Sequence, residues 1–186
     1  MSEKRITLPL TDETIDTLRA GDKVYLTGEI LVARDAAHKR LFEGLEKKEK
    51  LPVELSGAVI YYMGPSPARP GKVIGSAGPT TSKRMDKYTP ALLSLGLKGM
   101  IGKGRRSSDA ISAIVESHAV YLAAIGGCGA LLSKHITSSE VLCYEDLGTE
   151  AVRKITVTDF PCFVAVDCRG DDIYNQHDAH ELCSEH

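Results

Sequence analysis

Strand-forming runs alternate with helix-forming runs along this 186-residue chain, and that alternation limits its fold more than any other feature. A strand is predicted for KRITLPL and a short helix for TDETIDTLRAGD. A strand pair or a bulged strand is predicted for KVYLTGEILVA, and a helix for RDAAHKRLFEGLEKKEK. Thr11 is the predicted N-cap of the first helix, and Gly21 follows its end. The pattern predicts an α/β layered domain with more strand than a plain βαβ array.

The later segments continue this pattern. Strands are predicted for SGAVIYYMGP and KVIGSAGP, and a short strand with a glycine loop for KGMIGKG. A helix that begins at Thr81 is predicted to end near Thr89, with a second short helix from Pro90. SSDAISAIVESHAVYLAAIGG predicts a helix capped by Ser107 or Ser108. KITVTDFPCFVAVDCRGDD predicts two strand runs on either side of Phe160. The chain shows no internal repeat and no linker, so the sequence predicts a single domain.

Charge and composition exclude several classes of partner. Lys+Arg 23 against Asp+Glu 25 gives a net charge of -2, which provides no general attraction to nucleic acid or to an anionic membrane. Aromatic residues make up 5% of the chain and Trp is absent, which argues against a base-stacking platform. The opening MSEKRITLPL lacks the apolar core of a signal peptide, so a cytoplasmic location is expected.

The five cysteines carry no C-x-x-C spacing. An odd number without that motif argues against a disulfide framework and against a self-contained zinc or iron–sulfur site. The pattern favours reduced thiols in the cytoplasm. The cysteines are Cys128, Cys143, Cys162, Cys168 and Cys183.

Three cations fall at predicted element ends beside glycine or small residues: Arg34, Arg84 and Lys103. Loops at strand ends collect ligands in α/β sheets, and cations there suit carboxylates or phosphates. The alternative is that each is a solvated surface charge, as most Lys and Arg are. Neither IGKGRRSS nor GGCGA matches a phosphate-binding glycine motif, so a nucleotide site is not favoured.

The stretch GPTTSKRMD places Thr80 and Thr81 just ahead of Arg84. These hydroxyls could cap a helix. They could also face an anion pocket, where a threonine alkoxide is stabilised by neighbouring cations. Arg84 lies one helical turn from Thr80, so its guanidinium could reach the same pocket. The residues themselves leave both interpretations open.

Histidines add one further hypothesis. His38 and His118 fall in helix-like segments and are expected to be packed or solvated. In the tail HDAHELCSEH, histidine or cysteine recurs every third residue, so that on a helix several side chains could meet one transition metal, physiological or adventitious. The tail residues concerned are His177, His180, Cys183 and His186.

Several long segments occur in the order known from one family. SAGPTTSKRMDKYTPALLSLGLKGMIGKG resembles the signature of the beta subunit of class I, iron–sulfur-dependent fumarase. The beta subunit of tartrate dehydratase is similar, and the single-chain enzymes carry the equivalent as their C-terminal domain. LTGEILVARDAAHKR, AVIYYMGPSP and LGTEAVRKITVTDFPCFVAVDCRG resemble the same family. The resemblance implies a domain over residues 1–174 and a flexible tail over 175–186.

The resemblance implies a swivelling β/β/α layered fold. It also implies a hydro-lyase that reversibly hydrates a small unsaturated dicarboxylate, with fumarate to malate as the commonest case and tartrate or mesaconate as alternatives. By position, Thr80 resembles the catalytic base, while Arg34, Arg84 and Lys103 resemble the residues that hold the substrate carboxylates. No metal ligand is implied in this chain.

The resemblance further implies a partner, the alpha subunit, which binds a 4Fe–4S cluster and forms a heterotetramer of two alpha and two beta chains. Alone, the chain could self-associate through the surface meant for that partner. Two other functions remain open. One is a stand-alone domain that binds or senses a small anion, and the other is a structural subunit that only closes the cleft of its partner.

Overall fold

Strands and helices alternate in the computed structural model, which describes residues 2–66, 68, 70–125 and 127–175 and confirms the α/β prediction. The strands are β1 Glu3–Thr7, β2 Lys23–Val32, β3 Val59–Tyr61, β4 Gly99–Gly102, β5 Val120–Ala123, β6 Ile136–Cys143 and β7 Val152–Val166. The α-helices are α1 Asp12–Asp16, α2 Asp35–Glu46, α3 Thr89–Leu93, α4 Ser108–Glu116 and α5 Gly129–Leu132. Short 3-10 helices span Ser82–Tyr88, Ser133–His135 and Glu145–Glu150.

The seven strands of the described residues form one sheet in the order β1-β2-β3-β4-β5-β7-β6. Because β2 also pairs with β7, the strands β2, β3, β4, β5 and β7 close into a small barrel-like ring. Strands β1 to β5 are parallel, whereas β7 is antiparallel to β2, β5 and β6. The carboxyl ends of β2, β3 and β4 therefore meet at one edge of the ring, where α/β sheets place their ligands.

Two hydrophobic clusters lie on opposite faces of the strands. Tyr61 belongs to one cluster and the next residue, Tyr62, to the other, because successive residues of an extended chain point to opposite faces. The second cluster packs α2, α3 and α4 against the outer face of β3, β4 and β5 through Leu41, Leu92 and Ile114. These helices fix the loops that follow β2, β3 and β4.

The bulge predicted from the glycine in the second strand is present. Gly28 has a φ of 136°, and the register between β2 and β7 shifts between Leu26 and Gly28. A Cβ at position 28 would stand 2.8 Å from the Cβ of Leu8. Only glycine suits this position, because any side chain would strain the backbone and collide with a neighbouring main-chain segment.

Three secondary-structure predictions are wrong, and one strand was missed. Residues 72–79 form no strand, because the backbone of this segment bonds to Ser66 and Gly129 instead of to a neighbouring strand. The helix predicted to run through residue 127 ends at Glu116, where His118 takes a φ of 50° and the chain turns into β5. The two runs predicted around Phe160 form one continuous strand, β7, and β6 was not predicted at all.

None of the helices in the described part of the chain is long and apolar enough to cross a bilayer. Residues 176–186 lie outside the described residues. The proposed metal-binding tail residues fall there: His177, His180, Cys183 and His186.

Candidate active site

The segment that carries Thr80 lies between the ends of β3 and β4. Pro79 forms an antiparallel bridge with Met63, just after β3, and Thr81 forms a parallel bridge with Lys103, just after β4. Arg34 follows β2 and is the N-cap residue of α2. The carboxyl edge of the parallel strands thus brings three of the four predicted site residues to neighbouring loops.

The main chain holds Thr80 on both sides. Its N–H donates to the carbonyl of Tyr62 at 2.7 Å, and its carbonyl accepts from the N–H of Lys103 at 3.2 Å. The Thr80 hydroxyl also donates to the Tyr62 carbonyl, at 3.1 Å. Because the hydroxyl proton points at that carbonyl, the lone pairs of the Thr80 oxygen remain available as acceptors.

The capping interpretation of the two threonines is wrong. The helix that follows is a 3-10 helix beginning at Ser82, and its N-cap is Thr81, whose side chain makes no capping hydrogen bond. Thr80 lies one residue further out and bonds across to Tyr62. Pairing with the loops after β3 and β4 therefore decides the place of Thr80, and helix capping does not.

Arg34 reaches toward Thr80 through a gap at Gly64. A Cβ at Gly64 would stand 2.5 Å from Nη1 of Arg34 and 3.5 Å from Cγ2 of Thr80. Nε of Arg34 donates to Oε1 of Glu150 at 2.9 Å. Nη1 and Nη2 of Arg34 have no hydrogen-bond partner among the described residues, so the outer edge of the guanidinium is available to an anion.

Arg84 is joined to Arg34 by Asp35, the first residue of α2. Asp35 accepts from Nε of Arg84 at 2.9 Å and from Nη2 at 3.1 Å. Nε of Arg34 lies 3.8 Å from Oδ2 of the same Asp35. The Arg84 side chain is 53% exposed, and an ion pair at such a surface contributes little to stability, about 1 kcal/mol at most. Asp35 therefore holds Arg34 and Arg84 close to each other without burying either side chain.

Lys103 is exposed, and its main chain bonds to Thr80. Its carbonyl accepts from the N–H of Ser82 at 3.0 Å, so the backbone of Lys103 is fixed on both sides of Thr81. Its Nζ makes no ion pair or hydrogen bond within the described part of the chain. The site is thus an open edge with several cations, and Arg84 and Lys103 both face solvent.

A buried ion pair that the sequence did not reveal supports the loops of the site. Nε of Arg106 donates to Asp86 at 2.6 Å, and Nη2 donates to the hydroxyl of Thr89 at 2.7 Å. Burial alone would lower the pKa of Arg106, but Tyr62 and Asp86 outweigh it and hold that pKa above its usual value. Asp86 lies two residues after Arg84, so this pair ties the 3-10 helix to the loop that carries Lys103.

His38 is packed, which is one of the two expected outcomes, packed or solvated. Its side chain is buried, and its Nδ1 lies 3.0 Å from the carbonyl of Arg34. Since a carbonyl only accepts, Nδ1 carries the ring proton, and the buried Nε2 has no partner in the described residues. Burial lowers the pKa of His38 to about 4, so the ring is neutral and anchors the backbone of Arg34.

The residues next to Glu150, Arg106 and Gly64 in the sequence do not indicate that these three belong to the site. Glu150 and Arg34 are 116 positions apart, and Arg106 in GRRSSD looks like an exposed basic pair. Asp35 was within reach of sequence reasoning, because it is the residue next to Arg34. Only the fold shows that Gly64 leaves the space which Arg34 and Thr80 share.

The described residues do not fit a cysteine-ligated cluster. Cys162 is fully buried, and burial raises the pKa of its thiol. The single group of three or more metal-type donors in the described part of the chain contains one cysteine, Cys168, with Asp16 and His118. An iron–sulfur cluster needs several thiolates around one site, so these residues cannot hold one.

Comparison with known proteins identifies the family of this chain. The family model described as Fumarase C-terminus matches residues 1–177, and the chain belongs to that family. This confirms the resemblance drawn from the sequence. The aerobic class I fumarate hydratase of Escherichia coli (strain K12) is 41% identical over 156 residues, which cover 83% of this chain and 28% of that protein.

Two further relatives show how much of each related protein this chain covers. Fumarate hydratase 2 of Leishmania major is 40% identical over 158 residues, 84% of this chain and 28% of that protein. A Methanocaldococcus jannaschii protein assigned as an L(+)-tartrate dehydratase subunit beta is 38% identical over 173 residues, 90% of this chain and 89% of that protein. The chain therefore spans just over a quarter of these fumarate hydratases and most of the subunit-sized relative.

Proposed function

We propose that this chain supplies the carboxylate-binding part of a hydro-lyase that reversibly hydrates a small unsaturated dicarboxylate, with fumarate to malate as the leading case. The observation that carries the proposal is the gap at Gly64, which Nη1 of Arg34 and the side chain of Thr80 both border. In this proposal Arg34, Arg84 and Lys103 bind the substrate carboxylates. Thr80 is the base that exchanges the proton next to a carboxylate.

The positions of the cations suit that chemistry. Removing a proton beside a carboxylate builds negative charge on that carboxylate, so cations held there stabilise the transition state more than the ground state. The same positive charge stabilises the alkoxide form of Thr80. Glu150 holds Nε of Arg34, and Asp35 holds Nε and Nη2 of Arg84. These bonds leave both Nη atoms of Arg34 and Nη1 of Arg84 for substrate.

The openness of the site supports a second polypeptide. Binding sites for small molecules usually bury most of the ligand surface, whereas Arg84 and Lys103 lie exposed here. We therefore propose an alpha subunit that covers this edge, in a heterotetramer of two alpha and two beta chains. We also assign the 4Fe–4S cluster to that subunit, because the described cysteines of this chain do not fit one.

The proposal also covers the fold, the domain bounds and the location of the protein. The closed ring with α2, α3 and α4 packed on its outer face is compatible with a swivelling β/β/α layered fold. We propose that residues 1–174 form this domain, that residues 175–186 form a tail, and that the protein acts in the cytoplasm.

The test compares the chain alone with the chain co-expressed with its alpha subunit, under anaerobic conditions, on fumarate, malate, tartrate and mesaconate. We expect the chain alone to be colourless and inactive, and the pair to be active until oxygen damages the cluster. Oxygen-insensitive hydratase activity from this chain alone would refute the two-part proposal. Binding of fumarate or malate by a chain that no alpha subunit activates would support a stand-alone anion-binding or regulatory domain instead.

A further inference from the structure

A second group of ligand-type side chains lies at the end of the sheet opposite the candidate active site. His118 comes just before β5, and Cys168 comes just after β7. Because these two strands are antiparallel, with Tyr121 opposite Val166, the two residues meet at the same edge. Asp16, the last residue of α1, reaches them there.

The spacing of these donor atoms suits a tetrahedral metal ion. Oδ1 of Asp16 lies 3.3 Å from Nε2 of His118, and the donor atoms of Asp16, His118 and Cys168 all lie within 4.8 Å of one another. Zinc bonds of about 2.0–2.3 Å at tetrahedral angles place neighbouring donors about 3.3–3.7 Å apart. The carboxylate and imidazole already have that spacing, and the sulfur requires only a small closing movement.

The backbone around the donors is fixed before any ion binds. Nζ of Lys98 donates to the carbonyls of Ser117 and His118, at 3.1 and 3.2 Å. The buried carboxylate of Asp167 accepts from the N–H groups of Arg169 and Ala20, at 2.9 and 3.1 Å, and so holds the loop that carries Cys168. Outer contacts of this kind orient the ligands of metal sites.

Arg169 connects two of the three donors. Its Nη1 donates to Sγ of Cys168 at 3.5 Å, and its Nη2 donates to the carbonyl of Asp16 at 3.2 Å. These two contacts hold the Cys168 side chain beside the end of α1. Without an ion, the Asp16–His118 contact is a largely exposed pair of the kind that adds little to stability.

We propose that Asp16, His118 and Cys168 form a site for a borderline-soft divalent cation of the Zn²⁺ class, with solvent in the fourth position. Imidazole nitrogen, thiolate sulfur and carboxylate oxygen are the donors that zinc takes. The ion would tie α1 to the start of β5 and the end of β7, which lie far apart in the sequence, and so stabilise the fold. This proposal is independent of the proposed function.

The test titrates Co²⁺, and then Zn²⁺, into the purified full-length chain carrying Cys183→Ser, which removes the thiol of the tail. We expect one equivalent of Co²⁺ to bind with a thiolate-to-cobalt charge-transfer absorption, Zn²⁺ to displace it, and Zn²⁺ to raise the Tm. Adding Cys168→Ser should abolish the absorption. His118→Gln should weaken Co²⁺ binding by more than about 10²-fold, beyond the range for loss of an outer contact.

His118 is part exposed, so its variant keeps the test decisive if the Cys168 variant does not fold. The proposal is overturned if the Cys183→Ser chain shows no thiolate-to-cobalt absorption. It is overturned equally if the absorption and the rise in Tm survive His118→Gln, because binding is then adventitious.

Discussion

Nη1 of Arg34 lies 2.5 Å from the point that a Cβ atom would occupy at Gly64. The methyl carbon Cγ2 of Thr80 lies 3.5 Å from that same point. A side chain at position 64 would therefore separate the cation from the threonine. The missing side chain of Gly64 is what lets the loops after β2 and β3 share one site.

Gly64→Ala should reduce function without unfolding the protein. The atom that the new methyl group displaces is the end of a flexible arginine, so we expect the free energy of unfolding to change by less than about 1 kcal/mol. Moving the guanidinium by about 1 Å should lower kcat/KM of the assembled enzyme by at least about tenfold. The control is Gly44→Ala, whose Cβ would make only ordinary contacts, the nearest at 3.7 Å. Equal kinetics for the two variants would show that the gap has no role.

Thr80→Val should remove the base while keeping the shape of the side chain. We expect turnover of the assembled enzyme to fall by at least about 10²-fold, the low end for a positioned base, with little change in KM. Thr81→Val is the matched control, because Thr81 is exposed and makes no side-chain capping bond. If Thr80→Val retains turnover within a few-fold of Thr81→Val, the assignment of Thr80 as base is wrong.

Arg34→Lys and Arg84→Lys keep the positive charge but lose the planar fork. In Arg34 the fork lets Nε bind Glu150 while Nη1 and Nη2 face substrate, and in Arg84 Nε and Nη2 bind Asp35 while Nη1 faces substrate. An ammonium cannot bind both partners in this way. We expect KM for the dicarboxylate to rise by about tenfold or more, as for loss of one charge-assisted bond. Arg40→Lys is the control, since Arg40 forms a bidentate pair with Asp146 and is not among the proposed substrate residues. Unchanged KM in both site variants would exclude these arginines from substrate binding.

Asp86→Ala should destabilise the fold strongly, because it leaves the guanidinium of Arg106 buried without its partner. Removing one partner of a buried ion pair typically lowers the free energy of unfolding by about 3–5 kcal/mol. Urea denaturation measures the loss, and Asp146→Ala, which breaks an exposed pair with Arg40, should change the unfolding free energy little. Similar small effects in the two variants would contradict the supporting role given to Arg106.

His38 should make stability fall on acidification. Its pKa is lowered from 6.5 to about 4 in the folded state, so the unfolded chain takes up this proton first as the pH falls. Neutral His38 contributes to the free energy of unfolding above about pH 6.5. This contribution, about 3 kcal/mol in total, is lost as the pH falls from there to about 4. Urea unfolding at several pH values should therefore show a smaller acid loss for His38→Gln than for the unsubstituted chain. Parallel pH profiles would mean that His38 does not stay neutral in the fold.

The sequence by itself determined the features that depend on neighbouring residues. The predicted caps Thr11 and Ser107 each accept the capping hydrogen bond, because an N-cap needs only its own side chain and the next turn of helix. The bulge at Gly28 was likewise predicted as one of two alternatives. Arg34, Thr80, Arg84 and Lys103 were singled out from their short motifs, and their chemical roles stay predictions.

Tertiary structure decided the features that depend on pairing between distant strands of the closed ring. The segment that became β5 was predicted as helix, because local propensity does not register the pairing of Tyr121 with Val166 across the sheet. The short motif around Thr80 also allows a helix cap, whereas the bond to Tyr62 places Thr80 between two strand ends. The pairing of Arg34 with Glu150 spans 116 positions. Such contacts form only when strands distant in sequence are brought together, so no local pattern of residues can specify them.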